Sequence, residues 1–149
     1  MAIAMTFVLS AGEIDLSVGS VAGLATVTVA MAIAIAGPIA GVFAGLATGL
    51  VVGMFNGWLT TRVGIPSFLT TLAMMGIAKG AAMWISDTAA VPILNQSYAW
   101  IFGGGSIGRI PVLLFWVLIL GAIGHFALRR TGFGRRVLAT GGGETPARY

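Results

Sequence analysis

The chain contains no cysteine. Disulfides, a thiolate nucleophile and a cysteine-based metal site are therefore excluded. It has one histidine, so a His-rich metal cluster is excluded too. Charge is scarce: eight Lys or Arg and four Asp or Glu among 149 residues, or 8%, against about 25% in a typical soluble domain. So few charges cannot cover the surface of a water-soluble domain of this size. Disorder is excluded by the same numbers, because disordered chains are polar and highly charged. No G-x-x-x-x-G-K-[ST] loop, Ser/His/Asp set, paired catalytic acids or HExxH motif occurs, so the chain offers no phosphate cradle for ATP and no catalytic residue of these types. It reads as a non-enzyme with no cofactor or metal site.

What is plentiful is apolar. Hydrophobic residues make up 58% of the chain, and 23 residues are glycine, about twice the usual share. Gly-rich apolar helices are common in membranes, where small residues let backbones approach. From Leu16 to Thr61 no residue is charged. One crossing needs about 20 apolar residues, so this stretch predicts two spans with a tight turn at Gly37-Pro38. Gly suits the position past a helix end, and Pro suits the first position of the next helix. The predicted spans are 17–36 and 38–60, then 66–86 after Pro66, then 110–128 around Pro111. Residues 87–109 hold Pro92, Asn95, Gln96, Ser97 and three consecutive glycines, and read as an external loop with a short helix at Tyr98–Phe102. The first 12 residues are apolar but too few to cross, and no basic residue precedes them as in a secretory signal. They read as the remainder of a cut helix. The predicted fold is thus an all-α, polytopic transmembrane bundle, one region over 1–149, with four full spans and a truncated N-terminal helix.

Orientation follows from the placement of Lys and Arg. Five of the eight basic residues (Arg129, Arg130, Arg135, Arg136 and Arg148) lie in the last 21 residues. With that tail cytoplasmic, Arg62 is also inside, while the Gly37-Pro38 turn and the 87–109 loop are outside. Six Arg then lie inside, and only Arg109 lies on an outer connection.

The most ordered pattern is a glycine ladder: Gly37, Gly41, Gly45, Gly49, Gly53 and Gly57. Four residues turn a helix by about 400°, so the stripe drifts about 40° per step, and a neighbour must cross it at an angle. Close packing is the expected role of Gly41, Gly45, Gly49, Gly53 and Gly57; a sliding or pore-facing helix is the alternative. Asp15 is expected to cap a helix starting at Leu16 by accepting an N–H near Val18, with contact to a partner or transport path as the alternative. Lys79 is expected to snorkel to the outer interface. His125, one turn before Arg129-Arg130, is expected near the inner interface. Gly103–Gly108 matches G-x-G-x-x-G but lacks the preceding strand, a following amphipathic helix and the acid about 20 residues on, so a dinucleotide site is rejected. Asn95-Gln96-Ser97 is a formal glycosylation sequon of a kind frequent by chance.

Several blocks resemble a known family. Gly12-Glu13-Ile14-Asp15-Leu16-Ser17-Val18-Gly19-Ser20 is similar to the "G-x-IDLSVGS" signature of the ribose-type permeases of bacterial ABC sugar importers. Gly53-Met54-Phe55-Asn56-Gly57 resembles their "G-x-x-NG". A short basic turn follows, then Ile65-Pro66-Ser67-Phe68-Leu69-Thr70-Thr71-Leu72, similar to "IP-x-F-I-x-TL". Lys79-Gly80 stands where the family has a basic residue and Gly. Thr131-Gly132-Phe133-Gly134-Arg135-Arg136 and Ala139-Thr140-Gly141-Gly142 resemble "T-x-x-GR…A-x-GG". Order and spacing agree across nearly the whole chain. One departure is Gly143, where the family usually has Asn.

The resemblance implies a transport subunit rather than an enzyme, multi-pass in the bacterial plasma membrane, with no ATPase site of its own. It implies a path for a ribose-like monosaccharide formed by two permease subunits, driven by a separate ABC ATPase and fed by an extracytoplasmic sugar-binding protein. Family permeases are about twice this length, so the chain would correspond to a half, from the second span through the sixth. Candidate path residues are Asp15, Ser17, Asn56, Thr70 and Thr71. Candidate ATPase-coupling residues, within the cytoplasmic segment 129–149, are Gly141, Gly142, Gly143, Glu144, Ala147 and Arg148, with 141–143 as a flexible turn before a docking helix. Two alternatives stay open: a branched-chain amino-acid-type ABC permease, and a small homo-oligomeric membrane channel or assembly subunit.

Overall fold

The computed structural model of the protein describes residues 1–142. The chain, expected as one region, groups into two compact units: Asp15–Ala99, and Met1–Ile14 together with the chain from Trp100 onward.

The first of these units is built on α2 (Val18–Trp58), which runs into a π-helical turn at Leu59–Val63, and on α3 (Ser67–Ile85). α2 is not straight. Gly37 has φ 84 and ψ −179, outside the helical region, and Pro38 follows without an N–H to give. Beyond that break the chain folds back on itself. The hydroxyls of Thr28 and Thr48 lie 2.9 Å apart, whereas 20 residues of uninterrupted helix would separate them by about 30 Å. Gly41 packs on Ile33 and on the Val29 carbonyl, and Gly45 packs on the Val29 side chain. The two halves of α2 therefore form a tight antiparallel hairpin about Gly37, the break expected from Gly37-Pro38.

The glycine ladder is used only in part. Gly41 and Gly45 meet the facing half of the hairpin, but a Cβ at Gly49, Gly53 or Gly57 would meet nothing within 4 Å. Within this chain, then, the stripe meets a neighbour at Gly41 and Gly45. Three steps from Gly45 to Gly57 rotate it by about 120°, so a single antiparallel neighbour cannot follow it to the end.

The second unit contains α1 (Ala2–Ser10), a π-helical turn at Trp100–Gly104, the strands β1 (Ser106–Ile107) and β2 (Ile110–Pro111), α5 (Val112–Arg130) and α6 (Gly132–Gly142). The expected Tyr98–Phe102 helix is instead α4 (Gln96–Ala99), in the first unit, continued by the π turn. Asn95 Oδ1 accepts from the Tyr98 N–H at 2.9 Å and so holds the start of α4. The expected loop also contains an antiparallel ribbon pairing Ser106 with Pro111 and Ile107 with Ile110. Gly108, at φ 63, supplies its turn. The all-α expectation is amended by these four strand residues. They delay α5 to Val112, with Pro111 extended at its cap (φ −64, ψ 138), as Pro66 is before α3 (φ −51, ψ 135). Trp116 fixes the π turn: its indole N–H donates to the Ile101 carbonyl at 2.8 Å, and its ring stacks on Phe102 with centroids 5.3 Å apart.

Among the described residues three helical stretches are long and apolar enough to cross a bilayer: Val18–Val63, Ser67–Ile85 and Val112–Arg130. The first contains the Gly37 hairpin. The architecture is that of a helical, multi-pass membrane protein.

Candidate functional site

Polar groups are rare in this chain, and the buried ones converge. Among the described residues the buried polar side chains are Ser17 (1% exposed), Thr71 (4%), Thr70 (5%) and Asn56 (8%). All four come from helix ends: Ser17 caps the start of α2, Asn56 lies in its last turn, and Thr70 and Thr71 lie in the first turns of α3. The hairpin returns Asn56 to Ser17, 39 residues earlier, and Asn56 Nδ2 donates to Ser17 Oγ at 3.3 Å.

Asp15 organises the start of α2, in a way that differs from the expected cap. The helix begins at Val18 rather than Leu16, and the Asp15 carboxylate accepts from Ser17 rather than from Val18. Asp15 Oδ1 takes both the backbone N–H of Ser17 at 2.8 Å and its hydroxyl at 2.7 Å. Charge-assisted bonds of this kind are the stronger class, and they leave the Ser17 oxygen facing Asn56 as an acceptor. Next to it, the Leu16 N–H donates to Thr71 Oγ1 at 3.1 Å, and the Thr71 hydroxyl donates to the Ser67 carbonyl at 2.8 Å. The non-helical link Asp15–Ser17 is thus tied to the second half of α2 through Asn56 and to α3 through Thr71. The structure brings together Asp15, Ser17, Asn56 and Thr71, four of the five candidate path residues, in one hydrogen-bonded knot. Thr70 is adjacent in sequence to Thr71 and equally buried. The backbone donor at Leu16 escaped sequence reading, because main-chain groups leave no residue signature.

Two atoms of the cluster are unsatisfied. Asn56 Oδ1 and Thr70 Oγ1 are buried without a hydrogen-bond partner. A buried polar atom left unpaired costs about 1–3 kcal/mol, and such atoms are few in native proteins. The arrangement can orient and hydrogen-bond a polar solute or water.

The coupling candidates divide. Gly143, Glu144, Ala147 and Arg148 lie outside the described residues. Gly141 and Gly142 were expected to open a flexible turn, but they close α6. The reason is packing: a Cβ at Gly141 would collide with the Ser10 carbonyl at the end of α1. Close contact with α1 holds the helix through residues of poor helix propensity. Gly134 is also buried, and a Cβ there would collide with the Leu128 carbonyl.

These helices and motifs have relatives. The family described as the branched-chain amino acid transport system / permease component matches residues 1–149. The chain belongs to this permease family. It is 38% identical over 149 residues to the ribose import permease protein RbsC of Bacillus subtilis (strain 168), covering 99% of this chain and 46% of that protein. It is 38% identical over 149 residues to the L-arabinose transport system permease protein AraH of Escherichia coli (strain K12), covering 99% of this chain and 45% of the relative. It is 37% identical over 156 residues to the inner membrane ABC transporter permease protein YjfF of the same strain, covering 99% of this chain and 46% of the relative. The chain spans about half the length of the curated relatives it matches. No solved structure matches it.

Within this permease family member, the buried knot draws its residues from Gly12–Ser20, Gly53–Gly57 and the Ile65–Leu72 block. Asp15, Ser17, Asn56 and Thr71 in those stretches are joined by hydrogen bonds. Among the described residues no group of three or more His, Cys, Asp or Glu comes together. The site is a hydrogen-bonding cluster on broken helices.

Proposed function

We propose that this chain forms part of the transmembrane path of an ABC importer that carries a monosaccharide across the bacterial plasma membrane. The observation that carries the reading is the family match over residues 1–149. The class of substrate is supported by the relatives' names, which specify ribose, L-arabinose and galactofuranose permeases. They favour a sugar over the branched-chain amino acid in the family's own description. A separate ABC ATPase supplies the energy, a second permease subunit completes the path, and an extracytoplasmic binding protein delivers the sugar. The chain contributes no bond-breaking chemistry of its own.

In this reading α2 crosses twice, once on each side of Gly37, so that with α3 and α5 the chain makes four crossings and α1 contributes a partial one. Arg62 and 129–149 face the cytoplasm, and 87–109 faces outward, as the Arg distribution supports. The knot of Asp15, Ser17, Asn56 and Thr71, with Thr70 beside it, then lies at the cytoplasmic end of the path. Irregular backbone at membrane level is tolerated where it lines a polar cavity, and Asp15–Ser17 is such a stretch. Asn56 Oδ1 and Thr70 Oγ1 are the unpaired groups that a hydroxyl-rich solute or water would satisfy. ATP-driven switching of the bundle between two states would expose them in turn.

The test is ATP hydrolysis by the permease reconstituted with its ATPase and binding protein, with ribose, L-arabinose, galactofuranose or leucine added. Stimulation by a sugar and not by leucine is expected. Stimulation by leucine alone would overturn the reading.

A further inference from the structure

Between α1 and α5 lies a hollow of about 300 Å³, room for about ten water-sized groups. Its wall includes Phe7 of α1 and Gly121, Leu128, His125 and Arg129 of α5. From Gly121 to Arg129 is eight residues, or about 12 Å along the helix. The two ends differ chemically. At the Gly121 end the wall is apolar. At the other end stand His125 and Arg129, four residues apart and so on one face of α5.

The surroundings add charge. Arg130 follows directly, and Arg135 and Arg136 are exposed on α6. α6 is held against α1 by Phe133, whose ring lies 6.3 Å from that of Phe7. Four guanidinium groups therefore occur within eight residues, and among the described residues none of them forms an ion pair. Arg129 lies in the last turn of a membrane-crossing helix, the level of the lipid headgroups.

We propose that this hollow seats one anionic phospholipid, with its phosphate on Arg129 and His125 and an acyl chain against Phe7, Leu128 and Gly121. The lipid fits both halves of the site. A free phosphate would satisfy Arg129 but leave the apolar wall uncovered. A neutral lipid would fill the wall but leave the cations unpaired. Basic pockets beside membrane helices on the cytoplasmic side commonly take anionic headgroups. The inference uses the membrane character of the family and is independent of the transported substrate.

The experiment measures the thermal unfolding midpoint of the permease purified in a neutral detergent. Phosphatidylglycerol, phosphatidylcholine or inorganic phosphate is added in separate arms. Saturating phosphatidylglycerol is expected to raise the midpoint by about 5 °C, and the other two are expected to leave it unchanged. Arg129→Gln should abolish the shift, while Arg136→Gln, outside the hollow, should retain it. Gly121→Leu fills the hollow without touching a charge, and a Cβ there meets nothing within 4 Å, so the variant should fold and also lose the shift. If Arg129→Gln fails to fold, Gly121→Leu decides alone. An equal shift with phosphatidylcholine or with inorganic phosphate overturns the proposal. So does equal loss in Arg129→Gln and Arg136→Gln, or a full shift in Gly121→Leu.

Discussion

Alanine placed at successive rungs of the glycine ladder should have opposite effects at its two ends. At Gly41 a new Cβ overlaps Ile33 Cγ1, lies 3.0 Å from Ile33 Cδ1 and lies 3.3 Å from the Val29 carbonyl oxygen. The carbonyl belongs to a helix and cannot swing aside, and Ile33 is stiff at χ1. Overpacking of this kind costs about 1–3 kcal/mol. Gly→Ala in a helix returns about 1 kcal/mol through propensity. The net for Gly41→Ala is a loss of up to about 2 kcal/mol. At Gly45 only the Val29 Cγ2 methyl is close, at 2.7 Å, so Gly45→Ala should fall between. At Gly49 the space is open, and the propensity gain of up to about 1 kcal/mol should remain. The two ends then differ by about 1–3 kcal/mol, or roughly 2–12 °C in unfolding midpoint for a domain of this size. The assay is thermal unfolding in one detergent, followed by loss of helical signal. A larger loss for Gly49→Ala than for Gly41→Ala would refute the hairpin geometry as the source of the effect and place a tight neighbour on the lower half of the stripe.

Thr28→Val and Thr48→Val should show a coupling of about 0.6 kcal/mol in a double-mutant cycle, the average for membrane hydrogen bonds; a coupling near zero would remove their contact as a stabilising bond. Ser17→Ala removes one of the two donors to Asp15 Oδ1 and the acceptor of Asn56 Nδ2, so it should destabilise by about 1–3 kcal/mol, more than Ser10→Ala measured in the same unfolding assay. Because the chain has no native Cys, single cysteines report topology cleanly: Gln96→Cys should react with an impermeant reagent from outside and Thr140→Cys should not. The reverse pattern would invert the proposed orientation. Ala147→Trp in the permease should leave the protein in the membrane while abolishing substrate-stimulated ATP hydrolysis, and normal stimulation would remove that stretch from the ATPase contact.

Much of this was readable because the chain is chemically plain. In a run of apolar residues, Ser17, Asn56, Thr70 and Thr71 stand out, and the same scarcity makes their convergence a strong structural fact. Gly37-Pro38 was equally legible, since few other residue pairs stop one helix and start another so abruptly. The partial use of the ladder was hidden because periodicity says which residues share a stripe, not where a neighbour leaves it. The α6 helix was hidden at Gly141 and Gly142, where local propensity favours a turn and contact with Ser10 overrides it. Asp15 was found, but its partner was misplaced by one residue, because helix starts drift within that margin. The ribbon at Ser106–Pro111 had no signal beyond Gly108, its strands being two residues each.

The Gly37-Pro38 bend has a consequence for how the protein is made. A hairpin whose two arms meet at one glycine has no hydrophilic loop to carry across the bilayer. Each arm also offers the other a partner for its polar hydroxyls, as Thr28 and Thr48 do for one another. The two arms can therefore leave the insertion machinery together as a single apolar body, whereas either arm alone would carry its small-residue face into lipid unmatched. Its orientation must then be decided by the basic residue that flanks the pair, Arg62 after it. A ribosome-bound intermediate ending near Arg62 should already contain the closed hairpin. One ending at Gly37 should still be dwelling beside the translocon, waiting for its second arm.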